Sequence, residues 1–128
     1  MEYNPYALTG KTILVTGASS GIGRAVAIEC SRLGAHVILS ARNKEKLEET
    51  LKMMEGHGHQ VIECDLSKEK EVSLLIDEVP EIQGLVNNAG TTMTVPVPFI
   101  KFNVLSDLLK VNTIAPIMIL SGLVKKKK

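Results

Sequence analysis

Val15-Thr16-Gly17-Ala18-Ser19-Ser20-Gly21-Ile22-Gly23-Arg24 joins a short apolar run to a helical pattern, and its three glycines decide how the chain is read. Upstream, Thr12-Ile13-Leu14-Val15 has the length and apolar character of a buried strand. Downstream, Ile22, Ala25, Val26, Cys30 and Leu33 recur at helical spacing until Gly34 supplies a stop. A strand, a bare turn and a helix in that order set unpaired amides and the positive end of a helix dipole beyond the strand. An anion such as a pyrophosphate can be held there without a lysine, because the missing side chains let it approach the main chain. A tight turn explains one glycine but not three. No Gly-Lys-Ser/Thr follows, which excludes a P-loop.

The same alternation continues outward. His36-Val37-Ile38-Leu39-Ser40 reads as a second strand, followed by a polar helix with Leu47, Leu51 and Met54 on one face and the turn Gly56-His57-Gly58. Gln60 to Cys64 is a third strand; Val72, Leu75, Ile76 and Val79 make a helical stripe ending at Pro80; Leu85-Val86-Asn87 is a fourth strand. Short strands, apolar on both faces and separated by helices, predict an α/β fold: a Rossmann-type, doubly wound parallel sheet in three α/β/α layers. Ligands of such sheets bind beyond the carboxyl ends of the strands, here after Val15, Leu39, Cys64 and Val86.

Composition sets limits on function. A chain of 128 residues, 45% apolar and 23% charged, suits a single domain over residues 1–128. Its net charge of +1, with acids and bases intermixed, argues against nucleic acid as a partner. Lys125 to Lys128 is the only block of like charge, read as a solvated complement to a helix dipole, with a membrane or nucleic-acid patch as the other reading. The apolar stretch Ile114 to Val124 contains Pro116 and falls short of the ~20 residues of a membrane span, so no membrane anchor is expected. Cys30 and Cys64 sit in apolar segments and the start lacks an export signal, which suggests the cytoplasm. His57, His59 and Cys64 match no common metal-ligand spacing, so no metal is expected.

The spacing G-x-x-x-G-x-G, with Thr16 before it and Ile22 within it, resembles the short-chain dehydrogenase/reductase family. Asn87-Asn88-Ala89-Gly90 is similar to that family's "NNAG" after the fourth strand, Asp65 to its adenine-contacting acid, and Asn112 in "KVNTIAP" to its active-site asparagine. The resemblance runs from about Lys11 onward. It implies a fold that binds NAD(P) and transfers hydride between a small-molecule carbonyl and an alcohol. Gly17, Ser19, Ser20, Gly21, Ile22 and Gly23 are then expected at the cofactor, with Asp65 and Leu66 near adenine and Asn88, Ala89 and Gly90 farther along.

The end of the second strand reaches the adenosine ribose. It reads Ser40-Ala41-Arg42, where an acid would accept from the 2′-hydroxyl of NAD and an arginine suits the 2′-phosphate of NADP. NADP (NADPH) is therefore the expected cofactor, with a hydroxyl from Ser19 as a further contact. Arg42 also admits a second reading, as a solvated residue opening a helix capped by Asn43. Asp65, too, has a structural reading, as part of the cap of the next helix. Pro116 lies four residues after Asn112 and brings no amide hydrogen, so the Asn112 carbonyl loses its helical partner. The resemblance implies that a water held there leads to a catalytic lysine; a packing kink is the other possibility.

The family's chemistry uses a Ser and a Tyr-x-x-x-Lys, and neither is found in these 128 residues. The only tyrosines, Tyr3 and Tyr6, are followed four residues later by Ala7 and Gly10. The expected picture is a Rossmann fold truncated after the fourth strand and the following helix. It would be the cofactor-binding half of an NADP(H)-dependent oxidoreductase, inactive as it stands. A non-catalytic nucleotide-binding module, or an interaction module docking through its last helix, is the alternative. Ile114, Ile117, Met118, Ile119, Leu120, Leu123 and Val124 cover more than one helical face, which predicts a homo-oligomer.

Overall fold

In the computed structural model, which describes residues 3–128, four strands form one sheet. They are β1 (Thr12–Thr16), β2 (His36–Ala41), β3 (Gln60–Glu63) and β4 (Gly84–Val86), in the order β3-β2-β1-β4. All pairings are parallel; Leu14 of β1 lies opposite Ile38 of β2 on one side and Leu85 of β4 on the other. The chain steps outward from β1 to β2 and β3, then crosses back to place β4 at the other flank of β1. That reversal is the topological switch point where ligands of doubly wound sheets bind.

Strand alternation divides the core in two. Ile13, Val15, Val37 and Leu39 face α1 (Gly21–Arg32) and α2 (Lys44–Lys52), packing with Ala27, Ala35 and Leu47. Leu14, Ile38 and Ile62 face the opposite way, toward α3 (Glu69–Glu78) and the long helical segment at the end of the chain. Residues 14 and 39 have no exposed surface, and burial of a leucine of this kind contributes about 1.5–3 kcal/mol. The expected three-layer Rossmann architecture is therefore present.

The last segment is one helix across Pro116, as its spacing from Asn112 suggests, but it is longer than the apolar stretch Ile114 to Val124: α4 (Phe102–Leu109), a π turn (Lys110–Ile114) and α5 (Ala115–Lys125) run on as one helical segment. The π turn absorbs the proline. Ala115 N–H bonds back to the Lys110 carbonyl, five residues earlier, and Pro116 falls in the first turn of α5, where a missing amide costs little. The result, Phe102–Lys125, is 24 residues long with a mean hydropathy of 1.5, long and apolar enough by composition to cross a membrane. Within the fold it buries one seam, Val111, Ala115, Ile119 and Leu123, against Val72, Leu75 and Ile76 of α3 and the sheet. Gly122 leaves room for α3, because a Cβ there would lie 2.6 Å from Ile76 Cδ1.

The terminal lysines serve a second helix end besides the one expected. Lys128 Nζ donates to the carbonyls of Ile76 and Asp77 (2.9 and 2.8 Å), and Lys126 pairs with the Asp77 carboxylate. Carbonyls in the last turn of α3 have no intrahelical partner, so these cations cap α3 as well as ending α5. The end of α5 is a Schellman turn: Lys127 N–H bonds to Val124 O, Lys128 N–H bonds to Leu123 O, and Lys127 has φ 59°.

Candidate functional site

A cleft of about 400 Å³ opens beyond the carboxyl ends of the strands. Its floor is built by the turn after β1, with Gly17, Ser19 and Ser20, and by the tail of β4, with Asn88, Ala89, Gly90 and Thr91. One end is formed by Ser40, Ala41, Arg42 and Asn43 after β2, and Cys64 and Leu66 after β3 complete the wall. Lys46 of α2 and Val111 of the π turn also face it.

The turn after β1 is held from below by Thr16. Its buried hydroxyl accepts from the amides of Asn88 and Ala89 (both 3.1 Å) and approaches Val86 O at 3.4 Å, locking the β4 tail to β1. Asn88 Nδ2 donates to Gly17 O at 3.3 Å, so this amide braces the turn. A side chain at Gly17 would meet Ala89 Cα at 2.9 Å, and one at Gly23 would collide with the Gly17 carbonyl and with Asn88 Nδ2. Gly21 is different: it has φ +55° and nothing within 4 Å of a Cβ. The three glycines thus divide their work, two allowing the turn, helix and β4 tail to close on one another and one leaving the helix start open.

That helix start suits an anion. Ser20, the N-cap of α1, makes no side-chain cap bond, and the first turn carries no acid. The leading amides of α1 therefore lack internal partners at the positive end of a 12-residue helix. Gly21, Ile22, Gly23, Asp65 and Asn112 are not among the residues lining the cleft, whereas Gly17, Ser19, Ser20, Arg42, Leu66, Asn88, Ala89 and Gly90 are. Ile22 is largely exposed at the head of α1.

Asp65 caps its own turn, its Oδ1 accepting from the amide (3.0 Å) and hydroxyl (2.7 Å) of Ser67. Partial burial pushes its carboxyl upward, but the two Ser67 bonds and the charges of Lys68 and Arg42 outweigh it and hold the group below the usual aspartate range. Cys64 is pushed up to about 12, chiefly by burial and then by Glu71, Asp65 and Glu78, and stays a thiol at neutral pH. Asn112 makes a reciprocal pair with the Thr91 main chain, accepting from its N–H and donating to its carbonyl, both at 2.8 Å. The side chain of this asparagine thereby fixes the loop after β4.

Sequence reasoning did not single out Arg24, Lys46 or Thr50. Arg24 Nε donates to Thr50 Oγ1 (2.9 Å), and its Nη2 donates to Ser19 O (2.6 Å) and Lys46 O (3.2 Å) and pairs with Glu49. The fully buried Thr50 hydroxyl in turn donates to Ala18 O at 2.8 Å. These bonds strut the glycine turn against α2. The only signal in the sequence was a polar threonine in line with Leu47 and Leu51 on the apolar face of α2.

Taken together, an uncapped helix start, a bare backbone and a cleft crossing the switch point fit a dinucleotide, which Gly17 to Ser20 and the residues after β2 and β3 could hold. Comparison with known proteins agrees. Residues 11–127 match the family model described as short chain dehydrogenase. A 3-oxoacyl-[acyl-carrier-protein] reductase of Rickettsia felis is 45% identical over 85 residues, 66% of this chain and 35% of the relative. Mouse 3-ketodihydrosphingosine reductase is 43% identical over 101 residues, 70% of this chain and 30% of the relative. Among solved structures, a 3-oxoacyl (acyl-carrier-protein) reductase from Agrobacterium tumefaciens with NADP bound superposes with TM-score 0.82 at 29% identity, over 94% of this chain and 49% of that one. A metagenomic short-chain oxidoreductase in complex with NADP gives TM-score 0.81 at 32% identity, over 94% and 60%. The matched region is about a third of the length of the curated relatives and about half that of the solved chains.

Proposed function

The chain belongs to the short-chain dehydrogenase family, whose members are oxidoreductases using nicotinamide cofactors, and from that premise we propose that it is the cofactor-binding portion of an NADP(H)-dependent carbonyl or alcohol oxidoreductase. The observation that carries the cofactor choice is Ala41-Arg42. The cleft wall at the end of β2 is made of Ser40, Ala41, Arg42 and Asn43, with no carboxylate to accept from a ribose 2′-hydroxyl. The Arg42 guanidinium offers paired donors to a phosphate instead. The NADP in two related structures supports the same reading.

When bound, the nicotinamide supplies or accepts the hydride. This chain's residues bind and orient: the head of α1 and Gly17 to Ser20 take the pyrophosphate, Arg42 the 2′-phosphate, and Asn88 to Gly90 border the nicotinamide half. Asn112 secures the Thr91 loop beside it. No Tyr-x-x-x-Lys is present in the 128 residues to give a proton to a carbonyl oxygen. The chain by itself is therefore expected to bind cofactor and to leave NADPH absorbance unchanged with a panel of ketones and aldehydes.

Calorimetric titration with the two reduced cofactors tests the assignment. NADPH should bind more tightly than NADH by roughly ten- to a hundredfold, the equivalent of one charge-assisted hydrogen bond. Arg42→Ala should remove most of that gap and Ala41→Asp should reverse it. Equal dissociation constants in the unmodified chain would overturn the reading.

A further inference from the structure

We propose that Arg24 and Thr50 are positioning residues for the anion at the glycine turn, holding two of its carbonyls toward α2 so that the Ser19 and Ser20 amides are left for the pyrophosphate; the proposal rests on the dinucleotide reading above. Three successive carbonyls of the turn are each taken by a side-chain donor. Gly17 O accepts from Asn88 Nδ2 at 3.3 Å, Ala18 O from the Thr50 hydroxyl at 2.8 Å, and Ser19 O from Arg24 Nη2 at 2.6 Å. A trans peptide unit is planar, so the N–H that follows each carbonyl points the opposite way. Of the three amides so directed, that of Ala18 is spent on Ser40 O at 3.2 Å, whereas among the described residues those of Ser19 and Ser20 donate to no protein acceptor. Both serines line the cleft. Left unheld, the same peptide units could turn their carbonyl oxygens toward an anion and repel it.

The chemistry of the two side chains fits this task. Thr50 has no exposed surface, and its hydroxyl accepts from Arg24 Nε at 2.9 Å while donating to Ala18 O, so each side chain sets the other. The Arg24 side chain is only 23% exposed and pairs with Glu49, and its Nη2 also reaches Lys46 O at 3.2 Å. Its charge is thus matched within the protein, and what it gives the turn is geometry. A planar fork serves Thr50 and Ser19 from two separate nitrogens, which the single nitrogen of a lysine cannot do. Neither residue has to touch the ligand: each acts through a main-chain carbonyl on the amide beyond it.

The test titrates the full, isotope-labelled chain with ADP, which carries a pyrophosphate, and with adenosine, which carries none, following backbone amide signals by NMR. In the unmodified chain ADP should move the Ser19 and Ser20 signals and adenosine should not. Thr50→Val, which changes no charge, should weaken ADP binding about five- to tenfold and leave adenosine binding as it was, and Thr50→Ser should restore it. Arg24→Lys, which keeps the charge but offers one nitrogen, should weaken ADP to a similar degree. A merely structural role would lower both affinities together or neither, and either result overturns the assignment. ADP binding that leaves the Ser19 and Ser20 signals in place would also overturn it, while the dinucleotide reading would stand. If the unmodified chain binds no ADP, both fall.

Discussion

Gly23 and Gly90 look alike in the sequence, each a small residue in a motif around the cofactor, yet their surroundings differ. A methyl group on Gly23 would run into the Gly17 carbonyl and the Asn88 amide, whereas one on Gly90 would sit at an ordinary 3.5 Å from Asn112 Oδ1. Gly23→Ala should therefore cost about 3 kcal/mol, as forced overpacking against backbone does, and Gly90→Ala should stay within about 0.5 kcal/mol. Urea midpoints of the two variants check the contrast, and equal losses would contradict it. The sequence made the bare turn legible but not this division of labour, because atoms that crowd Gly17 and Gly23 come in part from Asn88 and Ala89, some seventy residues later. Lys46 was hidden for another reason. Beside Leu47 on a charged helix it is indistinguishable from a solvated lysine until the cleft is seen.

At the level of elements, alternation of apolar strands and helical stripes was enough to predict the succession of elements and the parallel sense of the sheet, since one face of every strand had to be covered by each helix layer. The π turn was only half visible. Pro116 announced that the Asn112 carbonyl would lose its helical partner, but a proline equally permits a break, and the choice of a π turn depends on packing. Val111 on one side and Ala115, Ile119 and Leu123 on the other all remain in one buried seam. The turn presents Asn112 to the loop after β4, where it trades two hydrogen bonds with Thr91. Asn112→Ala should speed amide exchange at Thr91 by roughly five- to tenfold, the value of about one net hydrogen bond, and leave strand amides unchanged. Uniform acceleration across the sheet would show that the asparagine supports the whole fold instead of one loop.

For the whole molecule, the unburied side of α4 and α5 dominates the surface. Phe102, Leu109, Ile114, Ile117, Leu120 and Val124 are exposed, an apolar spread larger than a lone soluble chain usually leaves uncovered. A dimer or larger species is the expected state at micromolar concentration, with Ile117→Glu shifting it toward monomer in sedimentation. A clean monomer with no binding of an apolar dye would refute this. The uncovered apolar faces were legible from residues on too many sides of the helix, although the sequence suggested a shorter apolar run than the 24-residue segment that forms. On the opposite side of that segment, Gly122 receives Ile76. A notch that accepts one side chain indexes two helices like teeth on a gear: sliding α5 by a turn would offer Met118 or Lys126 to Ile76, and neither leaves room. Ten residues back along the same rod, roughly 15 Å at the usual helical rise, stands Asn112. The height at which its amide meets the Thr91 loop is thus gauged from the far end of the helix, by the absence of a single methyl group.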